Sequence, residues 1–245
     1  MITHQGALGW KMLVMGWVDR LLLQVPFWSE FWNQGVSKSM GLLQCWHFLS
    51  RTGIEGDYLE FGVFRGETFR NMLIASRNIY RSTVEKKFNG RFFAFDSFEG
   101  LPDVSSSKNK DNIFKKGDFS ASRKTFNQTV RGAIQDSTVI VEEGWFSHTL
   151  TSEFAQKHQI RKIAFANVDC DLYESTQDCL RFITPFLQTG TVLYFDDWFS
   201  CKGSMNEGEP LACREWLAVN TNIDLIEYKN IGVLGKAFIV NIKGA

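Results

Sequence analysis

The sequence predicts an α/β protein with a doubly wound, mostly parallel seven-stranded sheet and an N-terminal helical extension. Three features predict it. Short apolar runs recur from residue 57 onward, amphipathic stretches separate several of them, and glycine or acidic residues stand directly after the runs. That alternation is the pattern of a parallel sheet covered by helices on both faces.

Five runs read as buried strands, at 58–61, 92–95, 138–141, 163–168 and 191–195. Each is bounded by polar or glycine residues, as strands buried on both faces tend to be. Helical periodicity fills 67–79, 152–158 and 176–187. Two further strands are expected at 224–228 and 237–242, with Gly232 and Gly235 placed to turn the chain, so this pair is read as antiparallel. No linker composition divides the 245 residues; the expected organisation is an extension over 1–55 and one domain over 56–245.

Residues 9–32 are rich in Trp, Leu, Met, Val and Phe, but Lys11, Asp19 and Arg20 interrupt them, so no stable membrane insertion is expected. Met12, Met15, Val18 and Leu22 follow helical spacing. The expected role is an amphipathic helix packed on the domain or on a second subunit, which favours a homo-oligomer, with membrane-surface contact as the alternative. Two segments, 103–127 and 200–210, are polar and irregular; they are read as lids or binding loops, or as plain solvated loop.

Lys and Arg together number 27, as do Asp and Glu, so the chain lacks the basic footprint of a nucleic-acid binder and a small ligand is expected. The five cysteines form no CxxC pair and are read as reduced thiols in a cytoplasmic protein.

Three constellations carry chemistry. In Leu59-Glu60-Phe61-Gly62-Val63-Phe64-Arg65-Gly66-Glu67-Thr68 a strand ends and a helix begins. Its glycines allow a tight turn and a close ligand approach, and the following helix aims its amides at an anionic group. That anion is either a pyrophosphate or the carboxylate of S-adenosylmethionine, although the G-x-x-x-G spacing lacks the dinucleotide form. Asp96, before Ser97, stands where doubly wound folds hold ribose hydroxyls, or else it caps the following turn. Asp169 and Asp171 end the fourth strand, and Asp196 and Asp197 the fifth. Carboxylates crowded at strand ends repel one another, and a hard divalent cation such as Mg²⁺ relieves that; the bland alternative is that some of them cap helices. Trp145, beside Gly144, is placed to stack on an adenine or to pack in the core, and His148 is a weak catalytic candidate.

These motifs, with Asp96-Ser97-Phe98-Glu99-Gly100-Leu101-Pro102, Gly144-Trp145-Phe146 and Asp169-Cys170-Asp171-Leu172-Tyr173-Glu174-Ser175-Thr176, resemble the macrocin O-methyltransferase family. The resemblance runs from about Gly56 to Gly203 and implies a class I, Rossmann-like methyltransferase fold, S-adenosylmethionine as donor and Mg²⁺ or another divalent cation. It implies metal ligands at Asp169, Asp196 and Asp197 and a general base at Asp171. Glu60, Gly62 and Asp96 match donor-binding positions, and Phe64, Gly66, Thr68, Ser97, Gly144 and Trp145 complete the expected donor set. The resemblance implies a small or glycosylated acceptor, with the methylated hydroxyl on a sugar of a natural product or polysaccharide. Residues 204–210 read as an insertion beside it. An NAD- or nucleotide-sugar-binding oxidoreductase and a non-catalytic donor-binding protein are the alternatives.

Overall fold

The computed structural model describes residues 36–244 except 104, 105 and 112, so the amphipathic stretch at 9–32 lies outside the described residues. Seven strands form one sheet in the order β3-β2-β1-β4-β5-β7-β6. The strands are β1 (Asp57–Phe61), β2 (Phe92–Asp96), β3 (Val139–Glu143), β4 (Ile163–Val168), β5 (Val192–Phe195), β6 (Ile223–Ile231) and β7 (Gly235–Ile242). The first five are parallel, and β7 runs antiparallel to both β5 and β6. The expected antiparallel pair is therefore present, joined across Gly232.

From β1 the chain winds outward through β2 to β3, then returns to lay β4 on the other side of β1. Open α/β sheets bind ligands outside the strand ends at such a reversal. The register levels those ends. Phe61 pairs with both Phe95 and Val168, and Val168 pairs with Phe195. The next residue of each strand is Gly62, Asp96, Asp169 or Asp196, so these four stand along one edge.

Side-chain alternation sends the strands into two cores. On one face Phe61, Phe95, Val168 and Phe195 pack with helices α4 (Phe146–Thr149), α5 (Ser152–Lys157), α6 (Tyr173–Ile183) and α7 (Gly208–Val219). On the other, Tyr58, Phe92, Phe165 and Tyr194 pack with α1 (Ser37–Thr52), α2 (Glu67–Val84) and α3 (Arg123–Ile134). Each fully buried aromatic contributes roughly 1.5–3 kcal/mol. Trp46 of α1 has no exposed surface and meets Tyr58, Phe88, Phe92 and Phe165. It fixes α1 across the sheet.

Two helices correct the loop expectations. Within the described part of 103–127 a 3-10 turn stands at Ser107–Asn109, and Ser122, whose side chain accepts from Thr125 N, starts α3. Only Phe126, Val130 and Ala133 of α3 are buried, a stripe too narrow to stand out in a polar stretch. The 200–210 segment ends at Glu207; Gly208, Glu209 and Pro210 are the buried first turn of α7 rather than part of a loop insertion. Proline suits a first helical turn, where its missing N–H needs no partner.

Candidate active site

A cavity of about 800 Å³ opens at the levelled strand ends, a volume suited to a small-molecule ligand. One part of its wall is the glycine turn. Gly62 has φ +87°, and a Cβ there would stand 1.8 Å from the carbonyl oxygen of Asp169. Gly66 has φ +89° and starts α2, with Phe126 close behind it. Of the sequence-expected residues, Glu60, Gly62, Phe64, Thr68, Asp96, Ser97, Gly144 and Trp145 line the cavity, and Gly144 N donates to the Asp96 carbonyl oxygen at 2.9 Å. Gly66 does not line it; its role is the turn.

Asp96 ties the turn to β2. Its Oδ2 accepts from Val63 N at 2.8 Å and Phe64 N at 2.9 Å, and its Oδ1 accepts from Phe98 N at 2.7 Å. Burial raises the pKa of its carboxyl, and those three amides oppose the shift. The turn-capping alternative thus describes its bonds, and the residue also lines the cavity. Ser97 closes the next turn, accepting from Glu99 N at 3.1 Å.

The four aspartates converge as the sequence led one to expect. Asp169, Asp196 and Asp197 each bring a carboxylate oxygen to within 4.8 Å of the others. The helix-cap alternative does not describe them. Leu172, not Asp171, is the N-cap of α6, and the amide of Tyr173 is taken by Asn109 Oδ1 at 2.9 Å. Asp171 holds φ +65°, a left-handed conformation that aspartate tolerates better than most residues. Asp196 and Asp197 contact opposite layers: Tyr194 donates to Asp196, whereas Asp197 N donates to Glu209 Oε2 of α7 at 3.0 Å.

Sequence reasoning missed Lys38. This residue of α1 sends Nζ to within 2.7 Å of Asp196 Oδ2 and 3.2 Å of Asp169 Oδ2. It lies 131 residues from Asp169, with no local motif to mark it. Burial disfavours its charge, but the two carboxylates outweigh burial and hold the ammonium above its ordinary pKa. The effect on the carboxylates is unequal. Burial, with the charge of Asp196, pushes Asp169 up to about 7. For Asp196, burial pushes upward too, but Lys38 and the Tyr194 hydroxyl hold it below its usual value. Asp171 and Asp197 are raised well above the carboxylate range by burial and by neighbouring negative charge. Below them Glu60, bonded by the Tyr58 hydroxyl, is pushed up to about 8 by burial.

The carboxylate set fits a hard divalent cation. It offers oxygen donors alone, closely spaced, and Asp197 Oδ2 is buried without a hydrogen-bond partner.

The expected loop at 103–122 is in part firmly held. Asn109 is buried; besides capping Tyr173 it donates to Glu174 at 2.8 Å. Lys108 Nζ lies 2.7 Å from the Tyr173 hydroxyl, which also bonds Glu215 of α7. Beyond this anchor Ile113, Phe114 and Phe119 supply apolar cavity wall. Among the remaining candidates, His148 is exposed and not on the cavity, Phe146 packs edge-on against Phe61, and Glu143 pairs with Arg123 at 3.1 Å. All five cysteines are buried free thiols.

The strand order, with a ligand-sized cavity at the carboxyl ends of the parallel strands, is the class I methyltransferase architecture. Residues 35–229 match the macrocin O-methyltransferase (TylF) family, and the chain belongs to that family. It is 28% identical over 173 residues to a demethyldecarbamoylnovobiocin O-methyltransferase of Streptomyces niveus, covering 68% of this chain and 62% of the relative. It is 27% identical over 181 residues to an 8-demethyl-8-(2,3-dimethoxy-alpha-L-rhamnosyl)-tetracenomycin-C 4'-O-methyltransferase of Streptomyces olivaceus, covering 71% of this chain and 65% of the relative. The chain thus spans less than two thirds of the length of either. Among solved structures, the O-methyltransferase NovP is similar with a TM-score of 0.64 and 25% identity, over 84% of this chain and 80% of that one. A calicheamicin methyltransferase shares the fold, with a TM-score of 0.67 and 21% identity over 90% of this chain and 89% of its own. No helix among the described residues is long and apolar enough to cross a membrane.

Proposed function

We propose that this protein transfers the methyl group of S-adenosylmethionine to a hydroxyl of a sugar borne by a small natural product, at a site holding a divalent cation. One observation carries the proposal: the aspartates that follow β4 and β5 line a single cavity together with the glycine turn that follows β1. The names of the relatives, which act on novobiocin- and rhamnosyl-tetracenomycin-type molecules, support the acceptor class. They also favour a transferase over the oxidoreductase and over a non-catalytic donor-binding protein.

In this reading the glycine turn, Asp96, Ser97 and Trp145 hold the donor, with the α2 amides facing its carboxylate. Asp169, Asp196 and Asp197 would hold the cation, which when bound lowers the cost of negative charge on the acceptor oxygen. Asp171 takes the hydroxyl proton as the oxygen attacks the methyl carbon. One O–C bond forms and one S–C bond breaks, leaving S-adenosylhomocysteine and the methyl ether. Charge is neutralised in that step, so a dry site favours it, and the apolar wall at Ile113, Phe114 and Phe119 excludes water.

The proposal treats 56–245 as the transferase unit and takes the protein as a cytoplasmic homo-oligomer, a state that light scattering measures. The test of function is calorimetry with S-adenosylhomocysteine, followed by mass spectrometry of glycosylated acceptors incubated with donor and Mg²⁺. A gain of one methyl on the sugar is expected. Absence of donor-product binding would overturn the reading.

A further inference from the structure

We propose that Lys38 is a built-in counter-ion that a divalent cation must displace, so that the aspartate cluster holds either the ammonium or the metal and never both. This rests on the cation part of the proposed function.

Geometry makes the two loadings exclusive. Nζ lies at hydrogen-bonding distance from one oxygen each of Asp169 and Asp196, 3.2 and 2.7 Å away. A Mg²⁺ or Ca²⁺ ion on the same oxygens would sit roughly 2.0–2.6 Å from them. The ammonium and the ion would then share one space while repelling each other. The cluster is also only partly answered by lysine: no hydrogen bond or ion pair joins Lys38 to Asp197, whose Oδ2 is buried without a hydrogen-bond partner. Among the described residues one ammonium is paired with these three carboxylates, and a doubly charged ion with more coordination positions answers them better.

The surroundings permit exchange. The α1 backbone is held by buried Leu42, Cys45, Trp46 and Leu49, so the helix has no need to move. The Lys38 side chain is 22% exposed and lines the cavity, which leaves its flexible stem room to swing away. Lysine therefore protects the carboxylates from mutual repulsion before metal arrives, and its departure opens the cavity when metal binds.

The test is Mn²⁺ binding followed by electron paramagnetic resonance, on the full chain and on Lys38→Met, with Lys38→Gln as a second variant and circular dichroism to establish folding. The variants are expected to bind Mn²⁺ about tenfold more tightly than the unaltered protein. In the unaltered protein carrying ¹⁵N-lysine, the Lys38 ammonium resonance, assigned by its loss in Lys38→Gln, is expected to shift as Mg²⁺ is added. Equal or weaker Mn²⁺ affinity in both variants, or an unmoved resonance at saturating Mg²⁺, would overturn the displacement while leaving the cation reading intact. If neither the unaltered protein nor the variants take up Mn²⁺, the cation reading falls, and the displacement falls with it.

Discussion

Gly62 and Asp169 stand so close across β1 and β4 that a Cβ on the glycine would lie 1.8 Å from the aspartate's carbonyl oxygen. The contact joins the glycine turn to the carboxylate cluster through backbone alone. Gly62→Ala is expected to disturb both together, because neither the left-handed φ nor the backbone contact can absorb a methyl group. A loss of about 1–3 kcal/mol in unfolding free energy is expected, with weakened S-adenosylhomocysteine binding. Denaturant melts and calorimetry read the two effects; a variant with unchanged stability and binding would contradict the contact.

Asp171→Asn is expected to lower methyl transfer about 10²–10⁴-fold while leaving affinity for S-adenosylhomocysteine nearly unchanged. Asp196→Asn is expected to cut both activity and Mn²⁺ uptake. Single-turnover assays beside calorimetry separate the two, and an Asp171→Asn enzyme that keeps full turnover would remove the proposed base.

The cation-free protein is expected to lose stability as pH rises from about 4 towards about 8. Glu60 and Asp169 keep protons in the fold up to about 8 and about 7, whereas their ordinary values are 4.5 and 3.8. Across that window the folded state binds more protons than the unfolded chain, so each step up in pH favours unfolding. Melting temperatures in chelator at successive pH values check the sign, and Glu60→Gln should flatten the slope. A rising melting temperature over the same range would contradict the proton count.

Asn109→Ala removes the cap on α6 and the bond to Glu174 together. A loss of about 1 kcal/mol in stability is expected. Because Asn109 fastens the loop that carries the apolar wall, a raised KM for the acceptor is expected beside a smaller change for the donor. Equal KM values for both substrates in variant and parent would show that the anchor has no bearing on the cavity.

The centre of the sheet was legible because β1, β2, β4 and β5 are buried on both faces. Runs such as Ile163–Val168 need no partner to declare themselves, and the aspartates announce a site by following such runs. The features that escaped depend on distant partners. Lys38 has meaning only beside Asp169 and Asp196, Glu209 only beneath Asp197, and Asn109 only against Tyr173. Helix α3 escaped for a different reason: three inward residues in twelve leave little periodicity to detect.

The level register of β1, β2, β4 and β5 has a consequence for how this protein could change over time. Everything set along that edge is held by ladder bonds deep in the sheet, whereas Ile113, Phe114 and Phe119 belong to a connecting segment outside the sheet. Exchanging that segment for one of another length or composition would re-cut the mouth to suit a differently shaped guest, with the floor beneath it undisturbed.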